Sequence, residues 1–341
     1  MVPGMTARRL AVAALAALSV LASACAGAGG ASPQGSASPS GSALPSVAGC
    51  AVEAPPAQAS IPSWDASSQR PTVFPVIVTS TGAIACGRNR IIFSFLDKAN
   101  TPIAAPDRPA SVAFYDLAGD PETALVSAEG TFIWAIEGSV GIYVVNVDLP
   151  SAGLWGAEFT TTAAGGPEER IRLQFVVLPE ARVVSVGDAA PASDTPTLAD
   201  VNGDVTMLST DEAPVKAFYE TSVADALAAK EPFLLVFATP KFCASAQCGP
   251  TLDRIKPIAA AHPDVTVINV EPYELEDVEG QLQPVLTDGA LTPTAATLEW
   301  RLQSEPWVFV VDGNGIVTAS FEGIVSEAEL EAALAALATR Y

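Results

Sequence analysis

The sequence predicts two folded domains, an all-β sandwich followed by an α/β domain, and three observations carry that expectation. Short, often alternating strands recur between turn residues from about Pro71 to Pro179. A strand–helix–strand order, then a strand–hairpin–strand and a final helix, occupies the last third of the chain. Between them, residues 181–204 are small, polar and proline-bearing and read as a linker. The length of 341 residues accommodates both domains with a leader ahead of them.

The leader comes first. Arg8-Arg9 precede an apolar run from Leu10 to Val20, followed by Leu21-Ala22-Ser23-Ala24-Cys25. A charged start, a short apolar core and small residues describe an export signal over 1–24, too short for a comfortable membrane span. Cysteine directly after the small residues resembles a bacterial lipobox, with the large aliphatic residue at Leu21, one place early. That resemblance implies acylation of Cys25 and a lipid anchor on the outer face of the cell membrane. The competing reading is a plain secretory signal with an incidental cysteine. Residues 25–48 are mostly Gly, Ala, Ser and Pro, a composition that cannot offset its own ordering entropy and reads as a flexible tether.

Charge excludes one class of partner. With 17 basic and 38 acidic residues, net −21, the chain has no phosphate-binding footprint, so nucleic acid is not expected. A serine–histidine–aspartate hydrolase is disfavoured by a single histidine, His262, and no Gly-rich phosphate loop or zinc cluster is present.

Of the 5 cysteines, four remain once Cys25 is assigned to lipid. An even number outside the cytoplasm suggests disulfides, and sequence leaves three pairings open. The simplest joins Cys50 to Cys86 as a structural staple and Cys243 to Cys248 as the second pair.

The first domain, 49–180, has strands expected at Val73–Val78, Arg90–Leu96, Ser111–Leu117, Thr131–Ile136, Gly141–Val147, Gly153–Thr160 and Ile171–Val177. Alternation is clean at Ile171, Leu173, Phe175 and Val177. About seven strands at this spacing argue for a β-sandwich. The stretches Gly141-Ile142-Tyr143 and Leu154-Trp155-Gly156-Ala157-Glu158-Phe159 resemble immunoglobulin-like modules of exported bacterial proteins. Trp155 reads as a core residue. The domain is expected to position or recognise a partner, not to catalyse.

The second domain, 205–341, holds the chemistry. A short helix is expected over Thr221–Lys230, capped by Thr221 or Ser222. The run Phe233-Leu234-Leu235-Val236-Phe237 is continuous and apolar, as in a strand buried on both faces. A turn with Cys243 and Cys248 follows, then helical spacing at Leu252, Ile255 and Ile258, closed by His262-Pro263. Thiols between a strand and a helix N-terminus meet unpaired N–H groups and a dipole that stabilise a thiolate. Val265–Val270 is the next strand, and Glu271–Thr297 an acidic insertion. Glu305-Pro306 leads into Trp307–Val311, Asp312-Gly313-Asn314-Gly315 is a hairpin turn, and Ile316–Phe321 returns. Ser326-Glu327-Ala328-Glu329 is a capping box opening the last helix.

This element order, with Cys-Gly-Pro at the turn, resembles the thioredoxin superfamily over 205–341. The departure is in the motif: thioredoxins carry Cys-Gly-Pro-Cys, whereas here Thr251 follows Pro250 and the partner cysteine lies upstream, as Cys-x4-Cys. The resemblance implies that Cys243 and Cys248 are a catalytic redox pair, and that Pro306 is a cis-proline shaping substrate docking. An ordinary proline at a strand start is the alternative. Either cysteine could attack, with Cys243 favoured as nucleophile and Lys241 placed to lend it positive charge.

The expected function is therefore a membrane-tethered extracytoplasmic thiol–disulfide oxidoreductase acting on exported protein thiols and disulfides, with no cofactor and no metal. Two alternatives stand beside it. One is a non-catalytic binding or scaffold lipoprotein with a structural Cys243–Cys248 bond. The other is a copper-site assembly chaperone, weakened because its only histidine, His262, lies at the far end of the helix.

Overall fold

The structure is a computed structural model that describes residues 50–52, 61–64, 71–162 and 166–338. The leader over 1–24, the lipid acceptor Cys25 and the tether over 25–48 lie outside the described residues. No described helix is long and apolar enough to cross a membrane.

The first half is built from β1 (Ala51–Val52), β2 (Phe74–Ile77), β3 (Gly87–Leu96), β4 (Ala110–Asp116), β5 (Val126–Glu129), β6 (Thr131–Ile136), β7 (Val140–Leu149), β8 (Ser151–Thr162) and β9 (Glu168–Val177). They form two sheets, one ordered β2-β3-β7-β6 and one ordered β1-β8-β4-β5, with β9 on the other edge of β8. Alternate residues of the facing strands make the core between them: Ile91, Phe93, Phe95, Tyr143 and Val145 against Val112, Phe114, Trp155, Ala157 and Phe159. Phe93 sits between Phe159 (5.0 Å between ring centres) and Tyr143 (5.4 Å). Trp155 is fully buried and its indole N–H donates to the Ser151 carbonyl at 3.0 Å.

The second half contains α1 (Val223–Ala229), β10 (Phe233–Phe237), α2 (Cys248–Ala261), β11 (Thr266–Val270), β12 (Leu275–Val278), β13 (Gln281–Pro284), β14 (Leu286–Thr287), β15 (Ala290–Leu291), α3 (Ala295–Glu299), β16 (Trp307–Val311), β17 (Val317–Glu322) and α4 (Glu327–Ala338). One sheet is ordered β11-β10-β16-β17, with β11 parallel to β10 and the other neighbours antiparallel. Every residue of β10 and β16 is buried because both faces are covered. Leu234, Val236, Val308 and Val310 meet Leu252 and Ile255 of α2 and Leu330 and Leu334 of α4. On the opposite face, Phe233, Leu235, Phe237 and Phe309 meet Val223, Ala226 and Trp300. Sequence signals at the ends act as written. Ser326 and Glu329 cap α4 reciprocally, at 3.0 and 3.2 Å, and the Gly315 N–H donates to the Asp312 carbonyl at 2.8 Å.

The expected fold class is corrected here. An immunoglobulin-like sandwich and a separate α/β thioredoxin-like domain were anticipated, but the described residues cluster as one compact unit. That unit is mostly β, with five sheets among the described residues. The anticipated α/β half holds three of them, because the 271–297 insertion folds into the pairs β12–β13 and β14–β15. The stretch read as a linker, 181–204, is packed: Val183 and Val184 are buried against Trp300 and Phe309.

The two halves share a core. Ile324 is fully buried among Ile92, Ile133, Ala135, Ile142 and Val144 on the outer face of the β3–β7–β6 sheet. This second cover explains why Ile91 through Phe95 are all buried, with no polar-out alternation. Arg90 clamps the junction. Its guanidinium donates to both oxygens of Glu329 (2.6 and 3.1 Å) and to the carbonyls of Glu322 (3.0 Å) and Ile324 (2.8 Å).

Candidate functional site

The candidate site is the turn from β10 into α2. Ala246 there adopts a left-handed conformation (φ 57°), a costly choice for a residue with a Cβ. It folds the chain back so that the two cysteines meet, with Cα atoms 6.0 Å apart, and they are joined as a disulfide. Cys243 is partly exposed; Cys248 is fully buried in the core beneath α2.

Helix α2 starts at Cys248, four residues before the helical spacing of the sequence begins at Leu252, and its N-cap Gln247 makes no side-chain cap bond. A helix N-terminus with no side-chain cap leaves N–H groups looking for an acceptor. Here the Cys248 N–H donates to the Cys243 sulfur at 3.2 Å. The Ser245 hydroxyl lies 3.4 Å from the same sulfur. That N–H, with the positive end of α2, favours negative charge on Cys243.

A second segment props the turn. Glu305, nearly buried, accepts the Ala244 N–H at 2.8 Å on one carboxylate oxygen and the Tyr273 hydroxyl at 2.6 Å on the other. The Ser245 hydroxyl donates to the Glu305 carbonyl at 3.0 Å. Burial, reinforced by the Glu305 carboxylate, pushes the Tyr273 phenol well above its ordinary range, so it stays a donor. The peptide from Glu305 to Pro306 is cis. The Cys243–Cys248 turn and Pro306 are thus brought together through Glu305. Gln247, free of capping, accepts the Ile324 N–H at 3.0 Å and ties the turn to the junction between the halves.

Other expectations separate from the site. Lys241 does not serve the thiol: its ammonium donates to the Leu282 carbonyl in β13 at 3.3 Å and lies over the Phe242 ring. His262 pairs with Glu331 at 2.9 Å at the far end of α2. Cys50 and Cys86 form the other disulfide, closing 36 residues. Among the described residues, no group of three His, Cys, Asp or Glu is arranged to hold a metal ion. Sequence reasoning missed Gln247 and Tyr273. Their only signal is the position of Gln247 just ahead of Cys248; Tyr273 lies in the insertion and becomes relevant only in three dimensions.

No protein-family model matches the chain, and no curated protein matches it. Two solved structures are similar in part. One is a DUF4426 family protein from Pseudomonas aeruginosa PAO1, at 14% identity and TM-score 0.22, over 32% of this chain and 90% of that one. The other is the PmoD soluble domain from Methylocystis sp. ATCC 49242 (Rockwell), at 16% identity and TM-score 0.20, over 31% of this chain and 90% of that one. Likenesses this small carry no argument about fold or function.

Proposed function

We propose that this protein is an extracytoplasmic thiol–disulfide oxidoreductase, held to the outer face of the membrane by lipid on Cys25, whose Cys243–Cys248 pair exchanges with exported protein thiols. The observation that carries the reading is the Cys248 N–H donating to the partly exposed Cys243 sulfur at a helix N-terminus. In the reduced protein that contact becomes a charge-assisted bond to a thiolate.

The exchange balances without a cofactor. The Cys243 thiolate attacks one sulfur of a partner disulfide, forming a mixed disulfide and releasing the partner's other sulfur as a thiolate. The Cys248 thiolate then attacks the Cys243 sulfur, releases the second partner thiolate and closes the Cys243–Cys248 bond. Two electrons pass to the partner. An exported dithiol returns them by the reverse sequence. Burial of Cys248 suits it to the second, intramolecular step, where it needs no access from solvent.

Trapping tests this. C248S should accumulate a mixed disulfide through Cys243 when offered oxidised protein substrates, and C243S should not. Equal trapping by both variants, or by neither, would remove the assignment.

A further inference from the structure

The hydroxyl of Ser245 has two acceptors within reach and one proton to give. Its oxygen lies 3.0 Å from the Glu305 carbonyl and 3.4 Å from the Cys243 sulfur, and it accepts the Gln247 N–H at 3.4 Å. A serine hydroxyl carries a single donor beside its acceptor lone pairs. A disulfide sulfur has no proton, so between Ser245 and Cys243 the hydroxyl alone can donate. In the oxidised protein the proton goes to the Glu305 carbonyl, the nearer and stronger acceptor.

Reduction changes that balance. A neutral sulfur accepts weakly, whereas a thiolate carries a full charge, and charge-assisted hydrogen bonds are about twice as strong as neutral ones. The exchange of acceptors needs only rotation of the O–H bond, because the oxygen already stands beside the sulfur. Glu305 does not follow the proton. Its carboxylate is fixed by the Ala244 N–H at 2.8 Å and the Tyr273 hydroxyl at 2.6 Å.

We propose that the Ser245 hydroxyl is a redox-dependent donor, which ties the turn to the Glu305 carbonyl while the disulfide is closed and turns to the Cys243 thiolate once the pair is reduced. This deepens the oxidoreductase reading and rests on it. An exported dithiol supplies the two electrons and leaves as a disulfide, the Cys243–Cys248 bond breaks, and the Ser245 proton stays on its own oxygen throughout. The thiolate then has two donors, the Ser245 hydroxyl and the Cys248 N–H. In the same step the turn gives up one tie to Glu305 and keeps the Ala244 bond, so ionisation of the nucleophile and loosening of its support are coupled.

The test is the pH profile of Cys243 alkylation by iodoacetamide in the reduced full chain, resolved by peptide mass spectrometry. S245A, checked for folding by circular dichroism, should move the midpoint of that profile upward by about one pH unit, the worth of one charge-assisted bond to the thiolate. S245T keeps the hydroxyl and should restore at least about half of the shift. A merely structural serine would leave the midpoint where it is. An unmoved midpoint in folded S245A, or S245T displaced as far as S245A, would overturn the inference. Should S245A not fold, the natural protein decides alone: the ¹³C resonance of the Glu305 carbonyl should move through the Cys243 midpoint, and a resonance constant across it would overturn the inference. Neither readout involves a partner protein. An unmoved midpoint beside successful trapping by C248S therefore removes this inference alone, and failed trapping removes the oxidoreductase reading.

Discussion

The backbone N–H of Cys248 donates to the sulfur of Cys243 across 3.2 Å, so the first residue of α2 caps its helix on the sulfur it is bonded to. Once the pair is reduced, the same N–H and the helix dipole act on a thiolate. The Cys243 thiol should therefore ionise below the ordinary ~8.5, and react with iodoacetamide at least about tenfold faster than Cys248 at neutral pH. Mass spectrometry of the partly alkylated reduced protein distinguishes the two. Faster labelling of Cys248 would reverse their roles.

Glu271 makes stability pH-dependent in an unusual direction. Its carboxyl titrates near about 7 in the folded protein, chiefly because of burial with the Asp211 charge adding to it, and near ~4.3 in an unfolded chain. The folded state then holds the proton more tightly, so this stabilisation is full below about pH 4 and is lost as pH rises toward about 7. The loss is on the order of 3 kcal/mol. Urea unfolding of E271Q should lack that slope and exceed the natural protein's stability at about pH 8. Parallel pH profiles for the two proteins would show that Glu271 titrates normally.

Arg90 holds the two halves together. Burial alone would raise the Glu329 carboxyl, but the Arg90 hydrogen bond and charge prevail and hold it below its ordinary range. R90A leaves that carboxylate with Ser326 as its donor but without its cation, and takes the guanidinium donor from the Glu322 and Ile324 carbonyls. A loss of about 3 kcal/mol in chemical unfolding is expected. R90K should recover less than half of it, since an ammonium cannot reproduce the fork. A loss below about 1 kcal/mol would mean that the apolar packing around Ile324 suffices.

The Cys50–Cys86 bond closes 36 residues. Chain-entropy reasoning gives it about 4 kcal/mol of stabilisation, through the unfolded state. The double variant C50A/C86A should lower the urea midpoint while leaving the Cys243–Cys248 exchange rate unchanged. A changed exchange rate would tie the staple to the site.

Individual elements were legible in the sequence, but the class they compose was not. The apolar run Phe233–Phe237, the Asp312–Gly315 turn, the Ser326–Glu329 box and the strand Thr131–Ile136 follow local rules and stand where those rules place them. What failed depends on partners far along the chain. Ile92 lies in a run that reads as ordinary strand, and nothing local says that Ile324 covers its outer face. The prolines and small residues of 181–204 suggest a linker, yet Val183 and Val184 find a hydrophobic surface to bury against. Insertion 271–297 looks polar and irregular, but its backbone groups pair into two hairpins. At the site, the cysteines announce themselves by type. Glu305 does not mark its own contacts, because a carboxylate on the page looks like surface until its Ala244 and Tyr273 partners are seen.

The most direct test of the account is the reduction potential of the Cys243–Cys248 pair, measured by thiol quantification against defined glutathione ratios. The account predicts a readily exchanged bond, well above about −300 mV. A bond that stays oxidised across the whole glutathione range would contradict it, and would make the pair a structural staple in a binding protein.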